Sequence, residues 1–262
     1  MKYFYTIPLI IFIKLLATSQ TLSGLIVYKA ETVLDTIKNN STINEGTLFF
    51  DVNSKKSIYV SNRVVKPEQE KHIYERKEDG STVIKKTSKS GDKVGRVTYK
   101  NFEDRVLVTR DGFNGKSFII KEDYPKINWS ILDSTKLIKG LTCQKAEGDF
   151  HGRHYTAWFT NKIQTPDGPW KLCGLPGLII EAYDAKKHFR FEAQSIDYPQ
   201  QNNEVLEAPT DGEAITLVQF YKLKVQAIED TDKKIKVILS QEGSNNSFGK
   251  LSYNLIERDI GY

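Results

Sequence analysis

The sequence lacks the motifs by which common catalytic sites are identified. Its 262 residues contain no Gly-x-Ser-x-Gly elbow, no His-Glu-x-x-His zinc helix and no glycine-rich loop able to cradle a phosphate. Carboxylates are frequent, but no motif arranges them as an acid and base pair. We therefore predict no catalytic residue, no metal site and no cofactor, and we favour binding over catalysis.

Dense positive charge is also absent. The formal net charge is +5, and the densest basic run, Lys233-Lys234-Ile235-Lys236, is interrupted by an isoleucine and lies beside Asp230 and Asp232. A nucleic-acid-binding arm needs a denser basic patch interleaved with aromatic residues. The run is typical of a solvated helix face, so we expect no nucleic-acid partner.

Long apolar runs are scarce except near the N-terminus. There Lys2 precedes an apolar stretch at residues 5–17, which is shorter than the ~20 residues of a membrane-spanning helix. Small residues follow, so residues 1–19 are typical of a secretory signal peptide. Cleavage before Gln20 would remove two lysines and no acid, leaving a net charge of +3 and no transmembrane segment. We expect an exported protein that is periplasmic, outer-membrane-associated or secreted.

Linkers rich in proline and serine and internal repeats are missing as well, so residues 20–262 are expected to form one β-rich domain. Short β-branched and aromatic stretches alternate with turn signals such as Asp79-Gly80, which predicts successive antiparallel strands. The predicted strands cover residues 24–36, 47–51, 56–65, 72–77, 81–88, 94–102, 105–109, 116–120, 128–133, 136–138, 143–148, 151–160, 178–183 and 188–196.

One helix is predicted near the C-terminus. Thr210 or Asp211 is expected to cap it, with Glu213 in the first turn. Its apolar stripe extends to about Asp230, with an extension to Leu239 left open. The pattern predicts the α+β class, predominantly antiparallel β, with one long curved, half-barrel-like sheet and one substantial C-terminal helix.

Residues 168–182 have the densest turn chemistry in the chain. Leu175-Pro176-Gly177-Leu178 fits a type II turn, because proline presets φ at the first central position and glycine supplies a positive φ at the second. Apolar Leu178-Ile179-Ile180 then predicts a strand that enters the core. Such a segment either brings backbone close to a ligand or turns a sheet corner, and we favour the corner.

The same segment carries a family resemblance. Cys173-Gly174-Leu175-Pro176-Gly177-Leu178-Ile179 resembles the signature of the GLPGLI family, secreted proteins of Bacteroidetes-type bacteria. The resemblance covers roughly residues 116–198, with similar segments at 129–131, 135–140, 143–146, 152–160 and 168–171. The segment at 253–257 departs from the family, which usually has proline where Leu255 stands. The resemblance implies an exported β-rich protein without an assigned activity, so no catalytic residue can be carried over.

The chain has only two cysteines, Cys143 and Cys173. In an exported protein such a pair favours a disulfide, which would tie the Cys143 strand to the turn after Cys173. The alternative is a pair of thiolate metal ligands joined by His151 or His154, although the spacing matches no zinc template. The two histidines stand three apart on a predicted strand and therefore point to opposite faces. We favour the disulfide.

Strict alternation along the predicted strand 151–160 supplies one candidate for ligand contact. Arg153 shares a face with Tyr155 and Phe159, where a covered guanidinium must pair or stack. It either anchors the carboxylate or phosphate of a ligand or forms an internal ion pair with Glu181 or Asp184.

Aromatic residues concentrate in the family-like region. Trp129, Trp158 and Trp170 either line an apolar or carbohydrate-binding cleft or fill the core. The candidate ligand-binding residues are Arg153, Tyr155, Trp158, Trp170, Leu175, Pro176 and Gly177.

These patterns predict a non-enzymatic binding or carrier protein of the cell envelope for an apolar ligand. One alternative is an accessory subunit that binds an envelope protein, which requires a filled core with an exposed apolar patch or an open sheet edge. The other alternative is an uncharacterised hydrolase, which requires a cleft with a strongly shifted carboxylate or histidine pKa.

Overall fold

The structure is a computed structural model that describes residues 22–35, 40–62, 73–76, 82–85, 95–200 and 206–241. The predicted signal peptide at 1–19 and the segment at 253–257 lie outside the described residues. The predicted α+β class is confirmed, because the described strands are mostly antiparallel, twelve of them form one sheet, and a single helix follows them.

The described strands and the helix are labelled in chain order. The strands are β1 (Ser23–Asp35), β2 (Asn40–Asp51), β3 (Lys56–Asn62), β4 (Ile73–Arg76), β5 (Thr82–Lys85), β6 (Arg96–Asn101), β7 (Val106–Phe113), β8 (Lys116–Asp123), β9 (Ser130–Ile138), β10 (Leu141–Phe150), β11 (Arg153–Thr160), β12 (Leu178–Asp184), β13 (Phe189–Gln200) and β14 (Glu213–Ile215). The helix α1 covers Leu217–Gln241.

The large sheet joins two runs of neighbouring strands. Its order is β14-β8-β7-β6-β3-β2-β1-β13-β12-β11-β10-β9, so β9 lies at one end of the sheet. The long strand β1 pairs with β2 on one side and with β13 on the other, which connects the two runs. β14 is parallel to β8, whereas β1 and its neighbours are antiparallel, and β4 and β5 form a separate hairpin.

The sheet is curved around residues 161–177, which we call the inner segment. Asp167 of this segment forms an ion pair with Lys100 on β6, and its carbonyl oxygen accepts a hydrogen bond from Ile179 N on β12 at 2.9 Å. β6 and β12 are five positions apart in the sheet, which is about 24 Å in a flat sheet. One side chain cannot span that distance, so the strands must bend towards each other. We call the face that contacts the inner segment the inner face.

The main core lies between the inner face and the inner segment. The buried side chains contributed by the strands include Ile26, Tyr28, Leu48, Phe50, Tyr155, Ala157, Phe159, Ala182, Phe191 and Ala193. The inner segment contributes Ile163, Trp170, Leu172 and Leu175 to the same cluster. Each large apolar side chain that is fully buried stabilises the fold by about 1.5–3 kcal/mol. An irregular segment therefore supplies one layer of the core.

The helix begins later than the sequence predicts. Its cap is Thr216, whose backbone N–H donates to the side chain of Gln219 at 3.0 Å while Gln219 N donates to Thr216 Oγ1 at 3.2 Å. This is a capping box, in which residues at the cap and at the third helical position satisfy each other. The prediction that Thr210 or Asp211 caps the helix is wrong, because Glu213–Ile215 pairs with β8 as a strand.

The first turns of α1 pack on the inner face beside the inner segment. Phe220 is buried against Phe118 and Ile120 of β8. Lys224 forms an ion pair with Asp111 of β7 at 2.9 Å. The helix therefore covers the β7–β8 end of the sheet.

The two strands predicted at 128–133 and 136–138 are one strand, β9. Its register with β10 shifts between Gln144 and Ala146, where three residues of β9 bulge out of the ladder. The side chain of Gln144 donates to the carbonyl oxygen of Leu132 at 2.9 Å and so satisfies a bulged backbone group. The sequence suggested a break at this point, and the structure shows an irregularity within one continuous strand.

Candidate functional site

The inner segment is fixed by two buried ion pairs. Lys100 pairs with Asp167, neither side chain has any exposed surface, and Lys100 Nζ also donates to the carbonyl oxygen of Gly168 at 2.7 Å. Lys171 pairs with Glu122 of β8 at 2.6 Å, and both side chains are buried. Removing one member of such a pair would leave a charge in the core, so these contacts hold the segment in one position.

Hydrogen bonds also fix the C-terminal part of the inner segment and the start of β12. Tyr28 of β1 donates its hydroxyl to the carbonyl oxygen of Ile179 at 2.6 Å. Trp129 donates its indole N–H to the carbonyl oxygen of Cys173 at 2.9 Å. Trp170, earlier in the same segment, is buried with a φ of 54°, a left-handed conformation that is strained for a bulky residue and persists only under tight packing.

The structure divides the predicted ligand-binding residues among three environments. Trp170 and Leu175 are core residues of the inner segment, and Tyr155 is a core residue of β11. Pro176 is exposed to solvent, whereas Trp158 alternates with Ala157 and Phe159 and therefore lies on the outer face of the sheet. These residues do not line one common surface.

The remaining predicted contact, Arg153, forms the internal ion pair. Its Nη1 donates to Asp184 at 2.9 Å, both side chains are buried, and the guanidinium carbon lies 4.4 Å from the centroid of the Phe189 ring. Asp184 also accepts from the backbone N–H of Phe189 at 2.8 Å. Of the two alternatives for Arg153, the geometry shows the ion pair with Asp184.

Gly177 has a different role from the one predicted. Its φ is not positive, so the predicted type II turn at 175–178 is wrong; the glycine of this segment that has a positive φ is Gly174, at 96°. A Cβ at position 177 would overlap the carbonyl oxygen of Thr160, and a Cβ at Gly168 would come within 2.8 Å of the Ile179 Cβ. Glycine is required at 177 because two backbone segments approach closely, which a residue pattern does not distinguish from a turn.

The predicted disulfide between Cys143 and Cys173 is wrong, because both cysteines are free and buried. Cys143 lies opposite Lys136 and two residues before Lys145, which places its side chain on the outer face. Cys173 belongs to the inner segment on the other side of the sheet, so the sheet separates the two thiols. Burial raises the pKa of both thiols to about 11, which keeps them protonated.

Two concave regions border the inner segment. One is an open depression of about 440 Å³ lined by Asn161, Gln164, Pro166 and Pro176, which are exposed amide and proline side chains. The other is a gap of about 10 Å³ where Trp170 and Lys171 meet α1 and Asp111. The depression is of ligand size but lies open at the surface, and the gap is far smaller than the several hundred Å³ of a usual ligand pocket. Within the described residues, the inner face is therefore filled.

An ion-pair network surrounds the smaller gap. Asp111 accepts hydrogen bonds from Arg96 Nη2 at 2.7 Å and from Lys224 Nζ at 2.9 Å. Burial alone would raise the pKa of Asp111, but the attraction of Arg96 and Lys224 outweighs it and holds the pKa well below its ordinary value. A carboxylate held in its charged form between two cations serves to attach α1 to the sheet.

Among the described residues, strand β9 forms an exposed edge of the large sheet. It pairs with β10 on one side and is the last strand of the sheet on the other. Ile131 and Leu137 are 47% and 72% exposed. Ile131 lies opposite Ala146 and Leu137 lies opposite Thr142, so both side chains are on the inner face, where they extend its apolar surface to the edge.

The charged side chain in the second half of β9 is directed away from the edge. Lys136 lies on the outer face, with its Nζ 4.3 Å from the centroid of the Trp158 ring, and it forms an ion pair with Glu181 of β12. Charged side chains commonly protect edge strands from pairing with other chains. At β9 this protection is reduced, because the ammonium group is held over neighbouring strands.

The sequence analysis predicted β9 as strands but missed its position at the edge. Edge position depends on which strands pair, and nothing in residues 128–138 records that order. Of the two histidines named in the metal-ligand alternative, His154 has its Nδ1 2.8 Å from Asp149 Oδ1, and His151 is in the turn before β11. Among the described residues, no three or more His, Cys, Asp and Glu side chains are grouped to hold a metal ion.

One further observation concerns membranes. Over the part of the chain that the structure describes, no helix combines the length and apolar character needed to cross a bilayer.

Comparison with known proteins gives similarities in family and in fold. A family profile described as "Protein of unknown function (Porph_ging)" matches residues 147–181, which include Gly174-Leu175-Pro176-Gly177-Leu178-Ile179. No curated protein matches the chain.

The solved structures that are similar include PNGF-II in its P21 crystal form, with a TM-score of 0.50 and 14% identity over 77% of this chain and 32% of that chain. The chain therefore spans about a third of the length of PNGF-II. An uncharacterized conserved protein from Thermus thermophilus aligns with a TM-score of 0.38 and 8% identity over 75% of this chain and 91% of that chain. The similarity to PNGF-II concerns the fold alone.

Proposed function

We propose that this chain is a binding protein that takes up an extended segment of a partner protein along the open edge of β9. The bound segment adds a strand to the sheet, its backbone forms hydrogen bonds with β9, and its apolar side chains cover Ile131 and Leu137. This is strand addition, in which main-chain hydrogen bonds give affinity and side-chain contacts give specificity. It is the accessory-subunit alternative, with the contact surface now specified.

The observation that carries the proposal is the combination, within the described part of the chain, of an open edge with two exposed apolar side chains on one face. The nine-residue β9 ends a twelve-stranded sheet, and Leu137 is 72% exposed. Edge strands of this length are normally protected by charges, prolines or a covering segment. The bulge at Leu132 protects only the first half of β9, and Lys136 is folded back over Trp158.

An apolar carrier has less support from the geometry. It needs a cavity on the inner face, and in the described residues that face is filled by Trp170, Leu172 and Leu175. A hydrolase has less support too, because the large carboxyl pKa shift at Asp111 is downward and arises from its ion pairs.

The proposal includes export to the cell envelope and membership of the GLPGLI family. Support for membership comes from the Porph_ging match over residues 147–181, which contains the signature segment. Support for export comes from the signal-peptide pattern at residues 1–19. An accessory protein of the envelope would meet its partner after export.

Site-specific photo-crosslinking in the cells that make the protein tests the proposal. A photoreactive amino acid is placed at position 137 and, in a separate variant, at position 106. Val106 is the matched control, because it is an exposed apolar side chain on β7, which is paired on both sides. We expect a crosslinked species of discrete mass from position 137 only, with a partner peptide identified by mass spectrometry.

Leu137→Asp sharpens the test. For this variant the photoreactive group is placed at position 131, on the same edge, where it should crosslink the same partner. Leu137→Asp should abolish the crosslink from position 131, whereas Val106→Asp should leave it unchanged. The proposal is contradicted if positions 137 and 106 give the same crosslinks, or if position 137 gives none.

A further inference from the structure

Lys136 is the cation on the outer face of β9 that a bound strand would meet. Lys136 pairs with Glu181, yet its own side chain remains 37% exposed. Its Nζ lies over the Trp158 ring, so the lysine stem extends across β10 and β11. A strand added beside β9 places one of its outer-face side chains directly opposite Lys136.

Glu181 retains a partner when Lys136 leaves. Its Oε1 accepts a hydrogen bond from Arg190 Nη2 at 3.0 Å, whereas Lys136 binds the other oxygen, Oε2. The Glu181 side chain is only 8% exposed, so it needs at least one cation nearby. Because Arg190 supplies that cation, Lys136 can move without leaving a buried charge unpaired.

The flank of β9 is basic. Between residues 126 and 139 the charged side chains are Lys126, Asp133, Lys136 and Lys139, a net charge of +2. Lys126 and Lys139 are exposed, and Asp133 lies in the bulge. A negatively charged segment is therefore attracted to this edge, and a positively charged one is repelled.

We propose that the segment bound by β9 alternates apolar and acidic residues. Its apolar side chains face Leu137 on the inner face, and a carboxylate opposite Lys136 draws this lysine away from Glu181 to form an intermolecular ion pair. The inference rests on the proposed function and adds the chemistry of the partner. It also makes Lys136 the residue that selects acidic over basic strands.

Two synthetic peptides test the inference. Their binding to purified protein comprising residues 20–262 is measured by fluorescence anisotropy. The acidic probe is fluorescein-Thr-Val-Glu-Val-Glu-Val-Thr-amide, and the basic probe has Lys in place of both Glu residues. One cross-strand charge contributes about 0.2–1 kcal/mol in either direction, so we expect the acidic probe to bind about two- to twenty-five-fold more tightly than the basic probe at low salt. Lys136→Glu should reverse the preference.

Lys139→Glu is the matched control, because it makes the same change of charge at an exposed position in the turn after β9. It should reduce the preference for the acidic probe without reversing it. Binding of the acidic probe should also change the tryptophan emission, and Trp158→Phe should remove that change. Reversal by both charge variants, or no emission change, would show general attraction to the edge and overturn the role of Lys136.

The outcomes separate this inference from the proposed function. Equal binding of both probes, abolished by Leu137→Asp, overturns the acidic preference and leaves the open edge supported. Failure of both probes together with a discrete crosslink at position 137 overturns the partner chemistry alone. Failure of both probes without that crosslink overturns the proposed function as well.

Discussion

Lys100 is the residue whose removal should most weaken the attachment of the inner segment. It has no exposed surface and forms its ion pair with Asp167, which is equally buried. Breaking a buried pair by removing one partner costs about 3–5 kcal/mol, because the other charge is left without compensation. We expect Lys100→Met to lower the free energy of unfolding in urea by about that amount.

Two further variants show whether the ion pair is the cause. Lys100→Met combined with Asp167→Leu removes both charges and should recover part of the loss. Lys55→Met removes the exposed pair with Glu103 and should leave the urea midpoint almost unchanged. Equal losses for Lys100→Met and Lys55→Met would contradict the role assigned to the buried pair.

Asp111 should make stability depend on pH in the acidic range. Arg96 and Lys224 overcome the effect of burial and hold its pKa below the ordinary value of 3.8. A lowered pKa in the folded state contributes stability that is complete above about pH 5 and is lost as the pH falls. The difference in unfolding free energy between the wild type and Asp111→Asn should therefore be largest near neutral pH and shrink below about pH 4. A constant difference from neutral pH to about pH 2.5 would be inconsistent with the assigned ion pairs.

At the scale of elements, the inner segment depends on Gly177. A side chain there would overlap the carbonyl oxygen of Thr160, so accommodation requires movement of the main chain. We expect Gly177→Ala to lower the free energy of unfolding by about 3 kcal/mol or more, the upper end of the range for overpacking. Pro176→Ala, at an exposed side chain of the same bend, should cost about 1 kcal/mol or less. Similar losses for the two variants would argue against a close approach at 177.

The sequence predicted the elements better than their ends. Alternation of apolar and polar residues placed strands over most of β1 to β13, because the side-chain period of a strand is visible in the sequence. Thr216 was missed as the helix cap although Gln219 completes a capping box three residues later, because Asp211 and Glu213 offered a competing start. Gly177 was assigned to a turn because proline followed by glycine has the same residue pattern in a turn and at a close backbone contact.

The candidate site was less predictable than the fold. For an internal ion pair of Arg153, strand alternation and charge left Glu181 and Asp184 as partners, and the structure contains the pair with Asp184. The separation of Cys143 from Cys173 depends on the face of the sheet against which the inner segment packs, and the sequence does not record that face. The open edge depends on the complete strand order, which joins β1 to β13 across more than 150 residues. Such long-range pairings leave no local signal in one sequence.

At the scale of the whole molecule, the protein should be exported and processed. The prediction rests on the apolar stretch at residues 5–17 and the small residues before Gln20. N-terminal sequencing of the protein from an envelope fraction should begin at Gln20, and the intact mass should correspond to two free thiols. Recovery of the full-length chain from the cytoplasm would contradict the prediction.

The fold organises the molecule around a filled interior and an exposed edge. The inner segment and the first turns of α1 occupy the inner face, so the interior is devoted to stability. Among the described residues, β9 at the end of the sheet combines an edge without a second neighbouring strand, the exposed Leu137 and the partly exposed Lys136. We therefore place the proposed binding at the edge, and the inner segment belongs to the architecture that supports that edge.

Amide hydrogen exchange across β9 tests this assignment most directly. The measurement compares the purified protein with the complex recovered through the crosslink at position 137. The account predicts that amides in Ser130–Ile138 exchange more slowly in the complex, while those in Arg96–Asn101 of β6 are unchanged. Unchanged exchange across β9 in the complex would contradict strand addition at this edge.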